Sequence, residues 1–81
     1  MNYPSGEKIQ VGDVLKLWPG CTGTVVCSMD DDEYSIDYTK DDWGYLKRGI
    51  LIDSDMAGLI LYYEPEPTFE LINRKLQQSM H

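Results

Sequence analysis

The fourteen residues from Asp30 to Trp43, DDDEYSIDYTKDDW, hold the side chains of this chain most able to do chemistry. Asp30, Asp31, Asp32, Glu33, Asp37, Asp41 and Asp42 are seven of the 14 acidic residues, and Lys40 is the single base among them. Seven carboxylates against one ammonium leave −6 on this run, nearly the whole formal net charge of −7. A field that dense repels phosphate backbones and anionic membranes and attracts a basic surface. Tyr34, Tyr38, Trp43 and, just beyond, Tyr45 are interleaved with the acids, and aromatic rings carry much of the energy at protein interfaces. These residues together predict a surface that docks a basic protein, with no direct binding of nucleic acid or membrane.

Other chemistry for the same carboxylates is less well served. A glycosidase-type acid–base pair needs a pocket that drives two carboxyl pKa values apart, and adjacent solvated acids have none. A calcium loop is the closer rival. Asp30 and Asp32 match the first and third ligands of an EF-hand, but Tyr34 stands at the fifth position. Ser35 then replaces the turn glycine and Asp41 the bidentate glutamate, leaving only a general attraction of clustered acids for hard cations. A solvated loop serving solubility is the plainest alternative, and the interleaved tyrosines argue against it.

Nucleophilic and metal chemistry have few candidates elsewhere. Cys21 and Cys27, in CTGTVVC, fit no paired metal-ligand spacing, and His81 is the only histidine. Ser28 and Ser54 have no histidine near a folded core to activate them. The expectation is a protein that is not an enzyme and uses no metal or cofactor. Its 81 residues suffice for one small domain over 1–81, with little chain left to wall a deep pocket. No run approaches the roughly 18 apolar residues of a membrane span, and MNYPSGEKIQVGD has no signal-type apolar core. A cytoplasmic location in a bacterium or phage follows as the expectation, with both thiols reduced.

Short strands must position the acidic run. Leu15 and Leu17 alternate within Val14–Trp18, Pro19–Gly23 reads as a turn, and Thr24–Met29 is a second strand rich in β-branched residues. Asp30–Glu33 reads as loop and Tyr34–Tyr38 as a short exposed strand. Thr39 is placed to cap a helical turn over Lys40–Leu46, with Trp43 and Leu46 facing the core and Gly49 ending it. Gly49–Asp53 and Leu59–Tyr63 are further strands, halted by Pro65 and Pro67. Thr68–Ile72 closes the sheet, with a terminal helix through Phe69, Ile72 and Leu76 as the alternative.

Residues 1–8 read as an irregular lead-in and 77–81 as a frayed tail. The expected core is Leu15, Leu17, Val25, Cys27, Trp43, Leu46, Ile50, Ile52, Leu59, Leu61 and Phe69. The expected fold is mainly β: a small, strongly bent antiparallel sheet or SH3-like barrel of about five strands with one short helical turn.

Val11-Gly12-Asp13-Val14-Leu15-Lys16-Leu17, followed by Gly20, Gly23 and Thr24-Val25-Val26, resembles the opening hairpin of SH3-like barrels of the KOW type. KOW domains bind RNA or ribosomal partners through basic loops. This chain carries acid there, so the nucleic-acid role is not expected to transfer. The whole chain resembles small uncharacterised bacterial proteins through Gly12-Asp13, Gly20, Gly23, Val25-Val26, Ser28, Trp43, Tyr45-Leu46, Gly49, Leu51-Ile52 and Ala57-Gly58-Leu59-Ile60. Small acidic bacterial proteins of this build are often immunity proteins that neutralise a toxin. That resemblance implies a toxin or nuclease-like protein as the basic partner. The alternative is an SH3-like accessory module that docks a peptide, or helps assemble a larger complex, through a groove of Trp18, Trp43 and the tyrosines.

Overall fold

The computed structural model of this protein describes residues 1–74, and its apolar runs form a single antiparallel sheet. The strands are β1 (Asp13–Trp18), β2 (Cys21–Ser28), β3 (Glu33–Tyr34), β4 (Ile50–Ser54), β5 (Gly58–Tyr62) and β6 (Glu70–Arg74). They lie side by side in the order β5-β4-β2-β1-β6, with β3 added beside the end of β2. Between β3 and β4 the chain makes one short helix, α1 (Lys40–Trp43), and a 3-10 turn (Gly44–Leu46). The fold is therefore mainly β. Of the two expected forms it is the open sheet, because β5 and β6 stand at opposite ends of the path and do not pair. Register shifts in the β1–β2, β1–β6 and β2–β4 ladders supply the local bends.

Several expected boundaries move. β2 begins at Cys21, whose partner is Trp18, so Pro19-Gly20 alone makes the hairpin connection in place of five residues. Proline followed by a glycine at φ 90° is the pattern of a type II turn. Cys21 is consequently a buried strand residue, 1% exposed, and not a turn residue. The expected strand Tyr34–Tyr38 is cut short after Tyr34. Tyr38 N–H donates to the Ser35 carbonyl at 3.1 Å, folding Ser35–Tyr38 into a tight turn. At the other end the chain is a strand through Arg74, not a helix. The expected tail over 77–81, with Leu76 and His81, lies outside the described residues.

Both faces of the sheet are covered. Leu15, Leu17, Cys21, Val25, Ile50 and Ile52 point to one side, where Tyr3, Ile9, Val11 and Phe69 close over them. A bulge in β2 between Val25 and Cys27 turns Val26 and Cys27 to the other side, beside Leu51 and Met29. Tyr34, Tyr38, Trp43, Leu46 and Leu61 pack over that second cluster as half-buried cover. Trp43, Leu46 and Leu61 are thus only partly withdrawn from water, and Leu59 is 42% exposed, so four expected core residues sit at the margin.

The lead-in is more ordered than its prolines and glycines suggest. Tyr3, Ile9 and Val11 are buried, and Asn2 bridges Lys8. Asp13, with no exposed surface, gathers this segment. Its carboxylate accepts from the Tyr3 hydroxyl at 2.7 Å, the Gln10 N–H at 3.0 Å and the Arg74 Nε at 2.9 Å. Arg74 also donates to the Lys8 carbonyl at 2.9 Å. A buried charge is tolerated only when paired and hydrogen-bonded, and these donors do both. Burial, then the hydrogen bond to Asp13, raises the Tyr3 phenol well above its ordinary value.

Candidate functional site

The segment between β2 and β4 carries the whole acidic run, and the structure divides that run in two. Asp30, Asp31 and Asp32 each find a partner that holds the segment in place. Asp30 accepts from Gly49 N–H at 2.9 Å, tying the start of the insertion to its end. Gly49 has φ 92°, and a Cβ there would stand 2.6 Å from the Tyr62 carbonyl oxygen, so this clamp needs glycine. Asp31 accepts from Ser28 Oγ at 3.1 Å and pairs with Lys8 at 3.4 Å, joining the insertion to the lead-in. Asp32, at φ 55°, pairs with Lys40 at 3.1 Å across the exposed surface, and that contact raises the Lys40 pKa.

Glu33, Asp37, Asp41 and Asp42 behave otherwise. All four are exposed, and their carboxylates make no ion pair among the described residues. Asp41 and Asp42 lie in the first turn of α1, where Thr39 Oγ1 accepts from Asp42 N–H at 3.4 Å, as the sequence predicts. Glu33 lies in β3 and Asp37 in the tight turn after it.

The aromatics split as well. Tyr34, Tyr38 and Trp43 are half-buried over the second cluster, with the Tyr38 and Trp43 rings 5.9 Å apart and tilted by 42°. Each keeps only part of its ring surface in water. Tyr45 is 69% exposed. The most prominent apolar side chain was not singled out from the sequence: Ile36, 91% exposed, stands at the tip of the Ser35–Tyr38 turn next to Asp37. Its signal was present, an isoleucine framed by acids, but the period-two reading of Tyr34–Tyr38 placed it in a strand.

A shallow cavity of about 450 Å³ lies where the insertion meets the lead-in, lined by Gln10, Val11, Asp32, Glu33 and Tyr34. Neither tryptophan of the expected peptide groove lines it. Trp18, 38% exposed, ends β1, whereas Trp43 covers the second cluster.

The remaining reactive groups are structural in their surroundings. Cys21 and Cys27 are free thiols buried in different clusters. Burial pushes the Cys27 thiol up to about 11, away from the thiolate that nucleophilic work requires. Among the described residues no three His, Cys, Asp or Glu side chains converge to hold a metal ion, and no helix is long and apolar enough to cross a membrane. Comparison with known proteins returns no matching family, no matching curated protein and no matching solved structure.

Proposed function

We propose that this protein is a non-enzymatic binding protein that docks on a basic protein and blocks it, in the manner of an immunity protein or an inhibitor of a toxin or nuclease-like enzyme. One observation carries the reading. Asp30, Asp31 and Asp32 brace the insertion, while Glu33, Asp37, Asp41 and Asp42 stand exposed with no ion pair among the described residues. Carboxylates held out this way steer encounter with a Lys/Arg-lined groove, speeding association by about 10- to 1000-fold at low salt. Ile36 and Tyr45 give the docked state apolar contact beside the acidic run, and the exposed parts of Tyr34, Tyr38 and Trp43 widen it. A cleft that binds phosphate is a natural target, since carboxylates can occupy the positions of phosphate oxygens.

The test is capture of basic proteins on the immobilised chain, then association rates at low and high salt. Rates that fall steeply with salt support the reading. Capture of no basic protein, or rates indifferent to salt, rejects it.

A further inference from the structure

The two edges of the sheet are built differently. β6 is guarded: Glu70 pairs with Lys16 at 3.0 Å, Arg74 is held by Asp13, and its ladder with β1 is broken by a register shift. Charges and bulges on an edge strand discourage pairing with another chain. β5 has neither. Residues 57–63, Ala-Gly-Leu-Ile-Leu-Tyr-Tyr, carry no charge, and β5 matches β4 in unbroken register from Ser54↔Gly58 to Ile50↔Tyr62.

The direction of its free backbone groups follows from β4. Along an antiparallel strand the N–H and C=O of one residue point to one side, and those of the next residue to the other. Gly49 C=O accepts from Met29 N–H, and Asp55 N–H donates to Thr22 C=O, so the odd-numbered residues of β4 face β2. Ile50 and Ile52 then face β5, opposite Tyr62 and Ile60. The N–H and C=O of Leu59 and Leu61 therefore point outward along an edge with no neighbouring strand among the described residues.

We infer that this edge pairs with the same edge of a second copy of the chain, antiparallel about a two-fold axis at Ile60. In that register Leu59 stands opposite Leu61 of the second copy, and each exchanges the backbone groups that are free in the single chain. The side chains agree with the backbone. Leu61 packs on the second cluster, Leu59 is two residues away on the same face, and its 42% exposure is covered by Leu61 of the other copy. Charge agrees too. Residues 57–63 carry no charge, so no like charges face each other along the paired strands although each chain carries a net −7. A basic partner has no carboxylate to seek along 57–63, which favours a second copy over the partner proposed for the acidic insertion. A closed two-fold pair also removes the exposed edge outright.

Sedimentation of the full chain across the micromolar to millimolar range, with residue-resolved amide exchange, tests this. Mass should double with concentration. Amide exchange at Leu59 and Leu61 should slow by about tenfold or more as it does, while Ile60 and Tyr62 stay protected throughout. Leu59→Lys, an exposed edge substitution, should raise the dimer dissociation constant by at least about tenfold with the circular dichroism unchanged. A monomer at every concentration overturns the inference, as does a dimer whose Leu59 and Leu61 amides exchange freely. Protection of those amides in a protein that stays monomeric assigns the edge to residues 75–81 of the same chain and equally overturns it.

Discussion

Asp13 and the acidic run use the same functional group to opposite ends. Asp13 stands alone in the sequence between Gly12 and Val14, yet it is fully buried and draws together Tyr3, Gln10 and Arg74. The run has seven acids, of which three brace the insertion and four face water without an ion pair among the described residues. Acid density and structural importance are thus unrelated here. A buried carboxylate must be satisfied by the fold around it, whereas crowded carboxylates repel one another and cannot all be satisfied from within. The unsatisfied remainder is what the proposed docking would use.

The largest effect should come from Asp13→Ala. It leaves the Tyr3 hydroxyl, the Gln10 N–H and a partly buried Arg74 guanidinium without their acceptor. Breaking a buried pair by removing one partner costs about 3–5 kcal/mol. A small domain has roughly 5 kcal/mol in all, so urea titration should find this variant largely unfolded or close to it. A midpoint near the wild-type value would break the contrast between Asp13 and the run.

Asp30→Ala comes next. Within the acidic run it removes an acceptor for Gly49 N–H, a hydrogen bond to a charged group worth about 1.5–3 kcal/mol. Because Asp30 is exposed, water can replace part of that, and the loss should fall at or below the low end of the range. Cys21→Ser should cost less, about 1 kcal/mol or less, because the buried thiol already lies beside the Thr22 carbonyl and the Asp55 carboxylate, which can accept from the new hydroxyl. A loss well above that would show that the hydroxyl goes unsatisfied in the first cluster.

The strands were legible in the sequence because their signal is local. Period-two leucines, the β-branched run in β2 and the Pro19-Gly20 turn each point the same way without help from distant residues. What escaped was non-local. Cys21 reads as a turn residue because glycines flank it at 20 and 23, but the two-residue turn pulls it into the ladder opposite Trp18. Tyr3 and Ile9 carry no pattern that announces burial; they are buried because Asp13 and Arg74, far apart in sequence, hold the lead-in across the sheet. In the candidate site the composition of the run was plain, and its division was not. Which acids find a partner depends on where Lys8, Lys40 and the Gly49 N–H arrive, and of these only Lys40 lies within 30–43.

The division itself yields the variant with the smallest expected effect on stability and the most direct bearing on function. Glu33→Gln, Asp37→Asn, Asp41→Asn and Asp42→Asn together remove four charges while keeping shape and the Thr39 cap. Exposed substitutions of this kind change stability by about 0.5 kcal/mol or less each, so the domain should remain folded by circular dichroism and urea titration. Association with a captured basic partner should slow by about tenfold or more at low salt, because steering over a Debye length of about 8 Å depends on the exposed field. At high salt the wild type should slow toward the variant, since screening removes the same attraction. Asp31→Asn and Asp32→Asn, chosen from the acids that have a lysine partner, provide the control. Both remove charge from the same run, but each was already neutralised by Lys8 or Lys40, so freeing that lysine should leave association slowed by a smaller factor per charge removed, with some loss of stability. If the two sets slow association equally per charge, the partner reads net charge alone and the distinction between bracing and presenting acids has no functional meaning. If neither set slows it, the four exposed carboxylates are a solvated surface and the proposed docking fails.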